Sequence, residues 1–192
     1  MPRPEAMTSP ATPATARSLW PTRPASVAVD LRTNQAGEAG AVRIYPGVLA
    51  VLRDPALRAF VLRHLATARS HPQRIEAWLS RAQHSRLLPL WRAAGWLTGA
   101  LPALLGLRAV YGTVEAVETF VGLHCAQQIV HPASHPELAL LRLTLIDCQG
   151  DELAHRLEVA TARGAAPVLL MRVWATLVGA GSPGAVALCR HR

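Results

Sequence analysis

Apolar residues recur every three or four positions along four long stretches of the chain, the spacing of a helix that buries one face. The first stretch predicts a helix from about Ala36 to Leu52, with Glu38, Val42, Tyr45, Leu49 and Leu52 on one stripe and Pro46 bending it. The second opens at Asp54-Pro55, a cap followed by a first-turn proline, and carries Leu57, Val61, Leu65, Ala68, His71 and Ile75. Pro72 is expected to kink it just after His71, because its ring removes the N–H that would bond to the carbonyl of Ala68. The third, from about Arg108 to Val130, repeats at Val110, Val114, Glu118, Val121 and Cys125. The fourth, from about Pro136 to Arg163, repeats at Leu138, Leu141, Leu145, Cys148, Glu152, His155 and Val159, after a short His-Pro-Ala-Ser-His-Pro connection.

Two further segments are apolar without a clean stripe. Residues 87–107 contain an uncharged run from Ala93 to Leu107, interrupted by Gly95, Gly99, Pro102 and Gly106. That run is short of the roughly 20 residues a membrane-spanning helix needs. With Trp91 and Trp96 as anchors, it reads as a segment lying in a membrane interface, the plainer alternative being a core hairpin. Residues 165–188 form another apolar helix, carrying Arg172 and broken by Gly179, Gly181, Pro183 and Gly184; it is expected to share that membrane contact. Residues 1–29 are a Pro-, Ala-, Thr- and Arg-rich tail, expected to be disordered, and residues 30–192 are expected to make one domain. A mitochondrial transit segment would also be Arg-rich and poor in acids, but the prolines spoil an amphipathic helix.

All 20 basic residues are Arg, a usage that points to a high-GC bacterial genome rather than to a physical need. The net charge of +8 is spread singly along the chain, without the basic stripe and interleaved aromatics of a nucleic-acid surface, so no nucleic-acid partner is expected. Cys125, Cys148 and Cys189 show no C-x-x-C spacing, which fits a reducing compartment.

Chemistry enters at the stripes. Glu38, His71, Glu118, Glu152 and His155 each occupy a place where a core residue is expected, and burying several carboxylates without a cation is very costly. Glu152 and His155, three residues apart, share one helix face and can reach one metal. In chain order, Glu38, Ala68-x-x-His71, Glu118 and Glu152-x-x-His155 follow the carboxylate-bridged di-iron arrangement of helix bundles with one ligand missing, at Ala68. Blander readings exist for single members: Glu38 could favour a helix dipole, and His71 could sit at a helix end. Tyr45 shares the Glu38 face as core, Arg43 points elsewhere, and His131 and His135 read as loop residues.

These same residues carry a family resemblance. Asn34-Gln-Ala-Gly-Glu38-Ala-Gly-Ala-Val-Arg43-Ile-Tyr45 resembles the first-helix signature of the demethoxyubiquinone hydroxylases, the Coq7 family, where a His-Ala-Gly-Glu-Tyr-Gly-Ala run leads into Arg-Ile-Tyr. Pro89-Leu-Trp91, Gly99-Ala and Leu104-Leu-Gly106 resemble that family's hydrophobic insertion. Ala116-Val-Glu118 with His124 and Gln128-Ile129 resembles its third helix, and Asp151-Glu-Leu-Ala-His155 its fourth, so that the resemblance spans residues 30–163.

The resemblance implies an all-α, ferritin-like four-helix bundle with additional amphipathic helices resting on a membrane, peripheral on the cytoplasmic face of a bacterial membrane. It implies that Glu38 and His71 bind a first iron and Glu118 and His155 a second, with Glu152 bridging them and His124 and Tyr45 standing outside the ligand set. The implied activity is O₂-dependent hydroxylation of a polyprenylated demethoxybenzoquinol in ubiquinone biosynthesis, with other proteins of that pathway as possible partners. The family's other bridging glutamate is Ala68 here, and a family tyrosine is Cys125. His64, Glu115 or a solvent molecule could fill the gap at Ala68, and spacing does not choose among them. The alternative is a non-catalytic quinone- or lipid-binding homologue; a bundle that handles iron or peroxide ranks behind both.

Overall fold

The computed structural model describes residues 23–164 and 169–191. Residues 1–22 of the expected tail and residues 165–168 of the last expected segment lie outside that range. Seven helices follow in order: α1 (Ala25–Val51), α2 (Pro55–Ala68), α3 (Ser70–Glu76), α4 (Leu88–Ala103), α5 (Leu107–Val130), α6 (Ala139–Arg163) and α7 (Leu169–His191). Short 3-10 turns occupy 81–83, 131–134 and 136–138, and no strand occurs among the described residues. The fold is an all-α, ferritin-like bundle: α1, the α2–α3 pair, α5 and α6 enclose the core, and α4 and α7 pack outside it. Among the described residues, no helix is long and apolar enough to cross a membrane.

Three boundaries differ from the sequence expectation. Helix α1 starts at Ala25 rather than near Ala36, so residues 25–29 belong to it and not to the tail. Its added turns carry buried polar groups among the apolar ones, which hides the stripe. Gln35 donates to Glu76 and accepts from the Ser85 N–H, Arg32 donates to the Gln83 carbonyl, and Arg23 donates to the Trp78 carbonyl and to Gln83. Together they strap the 77–87 loop onto α1. The second helix breaks at Arg69, before His71 rather than after it. Proline disturbs the turn N-terminal to itself, so Pro72 is accommodated in the first turn of α3, where no intrahelical N–H bond is required. Helix α7 runs unbroken through 179–184, because docking against α5 and α1 outweighs the roughly 1 kcal/mol that each helix glycine costs. Trp174 donates to the Thr113 hydroxyl of α5, fixing that docking at 2.9 Å. Asp54 does cap α2 as expected, accepting from the Leu57 N–H at 2.7 Å with Pro55 in the first turn.

The tightest packing joins α1 to α4, and it is made by glycine. A methyl group added at Gly95 would overlap the Gly40 carbonyl; at Gly99 it would overlap the Ile44 carbonyl, and at Gly47 the Trp96 carbonyl. The two backbones therefore touch. The opposite side of α4 and the turn that follows it expose Leu90, Leu97, Leu101, Leu104 and Leu105.

Gly99→Ala should lower stability by about 2–3 kcal/mol, because a backbone rather than a side chain has to yield. Gly150→Ala, where the added methyl meets no atom within 4 Å, should instead raise stability by about 0.5–1 kcal/mol. Thermal unfolding followed by circular dichroism checks the opposite signs.

Candidate metal centre

The inward-facing acids and imidazoles come from all four walls of the bundle. Glu38 projects from the middle of α1, His71 from the first turn of α3, Glu118 from the middle of α5, and Glu152 and His155 from adjacent turns of α6. All five are buried, His71 completely. Glu38, His71 and Glu152 offer donor atoms within 4.8 Å of one another, as do Glu118, Glu152 and His155. Glu152 belongs to both groups, so the five residues form a chain of two adjoining three-donor sites.

The distances show how the charges are arranged. His71 Nδ1 lies 2.8 Å from Glu152 Oε1 and 3.5 Å from Glu38 Oε2, and His155 Nδ1 lies 3.7 Å from Glu118 Oε1. Both Nδ1 atoms are buried; that of His71 is shared between two carboxylates and that of His155 stands beyond hydrogen-bond distance of Glu118. Two buried ring nitrogens facing three carboxylates make an arrangement that a cation would satisfy. The mixture of carboxylate oxygen and imidazole nitrogen suits iron, manganese or zinc. The residues present therefore fit a pair of metal ions, with Ala68 contributing nothing where a further carboxylate would complete the set.

Titration follows from crowding. Burial alone would lower the His71 imidazole, but hydrogen bonds to Glu152 and Glu38 outweigh it and push it up to about 12. Burial raises Glu38, with the Glu152 charge adding to it. Glu118 is raised well above the carboxylate range by burial and then by its hydrogen bond to Glu152. Glu152 shifts the other way: burial would raise it, but hydrogen bonds to Glu118 and His71 hold it down. Burial also raises the Cys125 and Cys148 thiols, Cys148 to about 11, so neither offers a thiolate.

A second layer holds the first in place. Tyr45, buried on α1, donates to Glu118 Oε1 at 3.3 Å. Asp151 Oδ2 lies 3.1 Å from His71 Nε2, which fixes the ring with Nδ1 turned inward. Asp147, Asp151 and Glu158 form an acidic stripe on α6 beside the ligand stripe and pair with Arg74, His71, Arg63 and His64 across the seam. The reading by stripes passed over Asp151 and Glu158; the spacing of four residues from Asp147 to Asp151 and seven from Asp151 to Glu158 is the signal that would have found them. Of the groups expected near the gap at Ala68, Glu115 is bound to Arg163 at 2.7 Å and stands outside both groups. His124 also stands outside them, bonding to Thr33 and Gln128 and stacking on Phe120.

An apolar cavity of about 330 Å³ opens between α1, α4, α5 and α7. Gly37, Gly40, Trp91, Val117 and Phe120 are among its walls, and none of the five inward residues lines it.

Comparison with known proteins places this arrangement. The family model for the ubiquinone biosynthesis protein COQ7 matches residues 25–189. The chain is similar to the 3-demethoxyubiquinol 3-hydroxylase of Rhodospirillum rubrum, with 36% identity over 81% of this chain and 74% of that protein. It is also 28% identical to a protein of Caenorhabditis elegans, over 82% of this chain and 86% of that one, named NADPH-dependent 3-demethoxyubiquinone 3-hydroxylase, mitochondrial. With a family match that runs through all seven helices, the chain belongs to the COQ7 family of ubiquinone biosynthesis proteins.

Proposed function

We propose that this chain is a di-iron monooxygenase that hydroxylates a polyprenylated demethoxybenzoquinol, and that Glu38, His71, Glu118, Glu152 and His155 are its metal ligands. The observation that carries the reading is the pair of three-donor groups sharing Glu152, each with a buried imidazole nitrogen facing its carboxylates. The relative from Rhodospirillum rubrum, named for 3-hydroxylation of demethoxyubiquinol, supplies the substrate class. When bound, the two irons supply the activation of O₂ that amino-acid side chains cannot perform.

The chain's own residues do the rest. Glu38 and His71 hold one ion, Glu118 and His155 the other, and Glu152 lies between. Tyr45 keeps Glu118 in one rotamer, and Asp151 holds a proton on His71 Nε2, so that Nδ1 is the nitrogen left to the ion once its own proton has gone. The cavity between α1, α4, α5 and α7 receives the quinol ring, and its Ala, Gly, Val and Phe lining excludes water from the reacting carbon. Its outer wall is α4, whose exposed leucines and Trp96 rest in the headgroup layer of a bacterial cytoplasmic membrane. An isoprenoid tail then passes from lipid to the cavity without crossing water.

Metal titration of the purified chain tests the ligand set. The unaltered protein should take up two ions; Glu38→Ala should lose one, and Glu152→Ala, placed in both groups, should lose both. No uptake by the unaltered protein would favour a non-catalytic quinone-binding role. Because His71 keeps its proton up to about 12, an ion has to displace that proton at any pH near neutral. Affinity should therefore rise with pH between 6 and 8, by about tenfold per unit for each proton released. Calorimetry in two buffers of different ionisation heat counts those protons. For the membrane face, Leu97→Ser with Leu104→Ser should reduce flotation with uncharged phosphatidylcholine vesicles by at least about tenfold, at roughly 1.5–3 kcal/mol per leucine withdrawn from the interface.

A further inference from the structure

Five residues for two ions leave the centre short of donors, and the position that would complete it, Ala68, is buried with no polar atom. The nearest turn of the same helix holds a group with unused capacity. His64, one turn before Ala68, is 1% exposed, and its Nδ1 has no hydrogen-bond partner. Its Nε2 lies 3.0 Å from Glu158 Oε2. A carboxylate only accepts, so Nε2 carries the proton and Nδ1 is left as a bare lone pair. A buried acceptor without a partner is costly, and a histidine serving only the core would not pay for one.

The surroundings of His64 say which ion it serves. Its ring packs against His155 with centroids 4.2 Å apart, against Phe60 at 4.1 Å, and lies 6.2 Å from the ring of Tyr45, the donor to Glu118. It thus lies beside His155 of the Glu118–Glu152–His155 group, outside the 4.8 Å span of those donors, so that an ion held there would have to draw its ring inward. Like His71 it sets Nε2 on an acid of α6; unlike His71, whose Nδ1 faces Glu152 at 2.8 Å, its Nδ1 has no hydrogen-bond partner. Arg63 grips the same Glu158 at 2.7 Å and so fixes the acid that orients the ring.

We propose that His64 is a sixth metal ligand, a nitrogen donor that takes the place of the carboxylate missing at position 68 and completes the ion held by Glu118, Glu152 and His155. This rests on the reading of the five residues as a two-ion centre. The consequence is a centre with three imidazoles and three carboxylates, joined by a single bridging acid.

Cobalt(II) titration of the full chain, read by visible absorption and by metal content, tests the assignment without using activity. The unaltered chain should bind two ions. His64→Ala, with its helix content checked by circular dichroism, should bind the second ion at least about tenfold more weakly and lose part of the ligand-field absorption. Imidazole should restore both, since a cleft lined by His64, Thr67, Ala154 and His155 gives a small molecule access. Adding Ala68→Glu to His64→Ala should also return the second ion. If His64→Ala fails to fold, Glu158→Gln keeps the ring but removes its orienting acid, and should weaken the second ion by about tenfold. Unchanged stoichiometry, affinity and spectrum in His64→Ala, or in Glu158→Gln where that variant has to stand in, overturns the proposal and leaves the five-residue centre intact. No cobalt bound by the unaltered chain overturns the two-ion centre itself, and this proposal with it.

Discussion

Three carboxylates and two imidazoles share the interior of a bundle otherwise filled with Val, Leu and Ile, and nearly every other feature of the molecule follows from keeping them there. An isolated ionised group in such surroundings costs several kcal/mol even after relaxation. The carboxylates and imidazoles share protons: Glu38 and Glu152 hold a proton on His71, and burial with the neighbouring Glu152 pushes the Glu118 carboxyl up. Those same contacts keep the donors of each three-residue group within reach of one another. The protein so arranged is held together by the interactions that an incoming ion replaces.

Around that cluster the helices divide their work by face. Helix α6 presents Glu152 and His155 inward and, a third of a turn away, Asp147, Asp151 and Glu158 to the basic residues of α2 and α3. Helix α1 presents Glu38 and Tyr45 to the centre, its glycines to α4, and its N-terminal polar residues to the 77–87 loop. Little of α1 is left for solvent alone, whereas α6 turns Leu140, Leu143, Leu153 and Leu157 outward. This explains why α1 shows no simple apolar stripe over its whole length.

How much of this was legible in the sequence depends on whether a signal was local. The stripes through Glu118 and through Glu152 and His155 were readable because each lies on one uninterrupted helix with regular apolar neighbours. The start of α1 was not, since Asp30 and Gln35 are buried polar residues whose partners are far along the chain or on another helix, and a polar residue with a remote partner looks like surface. The break at Arg69 was foreseen as to cause and misplaced as to position, because the disturbance travels back from Pro72 towards the N-terminus. Continuity of α7 was hidden by its glycines, whose weak propensity loses to docking on α5. At the centre, the five inward residues could be picked from the stripes, whereas the acids behind His71 and His64 are visible only once α6 is set beside α2 and α3.

The glycine seam between α1 and α4 also has a mechanical meaning. Where helices meet through side chains, a push on one is taken up by rotamers that shift and recover. Carbonyl oxygen against α-carbon has no such cushion, so Gly40 and Gly95, or Ile44 and Gly99, move together or not at all. Gly40 is two residues from Glu38. Any load placed on α4 is therefore delivered, undamped, to the backbone that carries one of the five acids and imidazoles at the core of the protein.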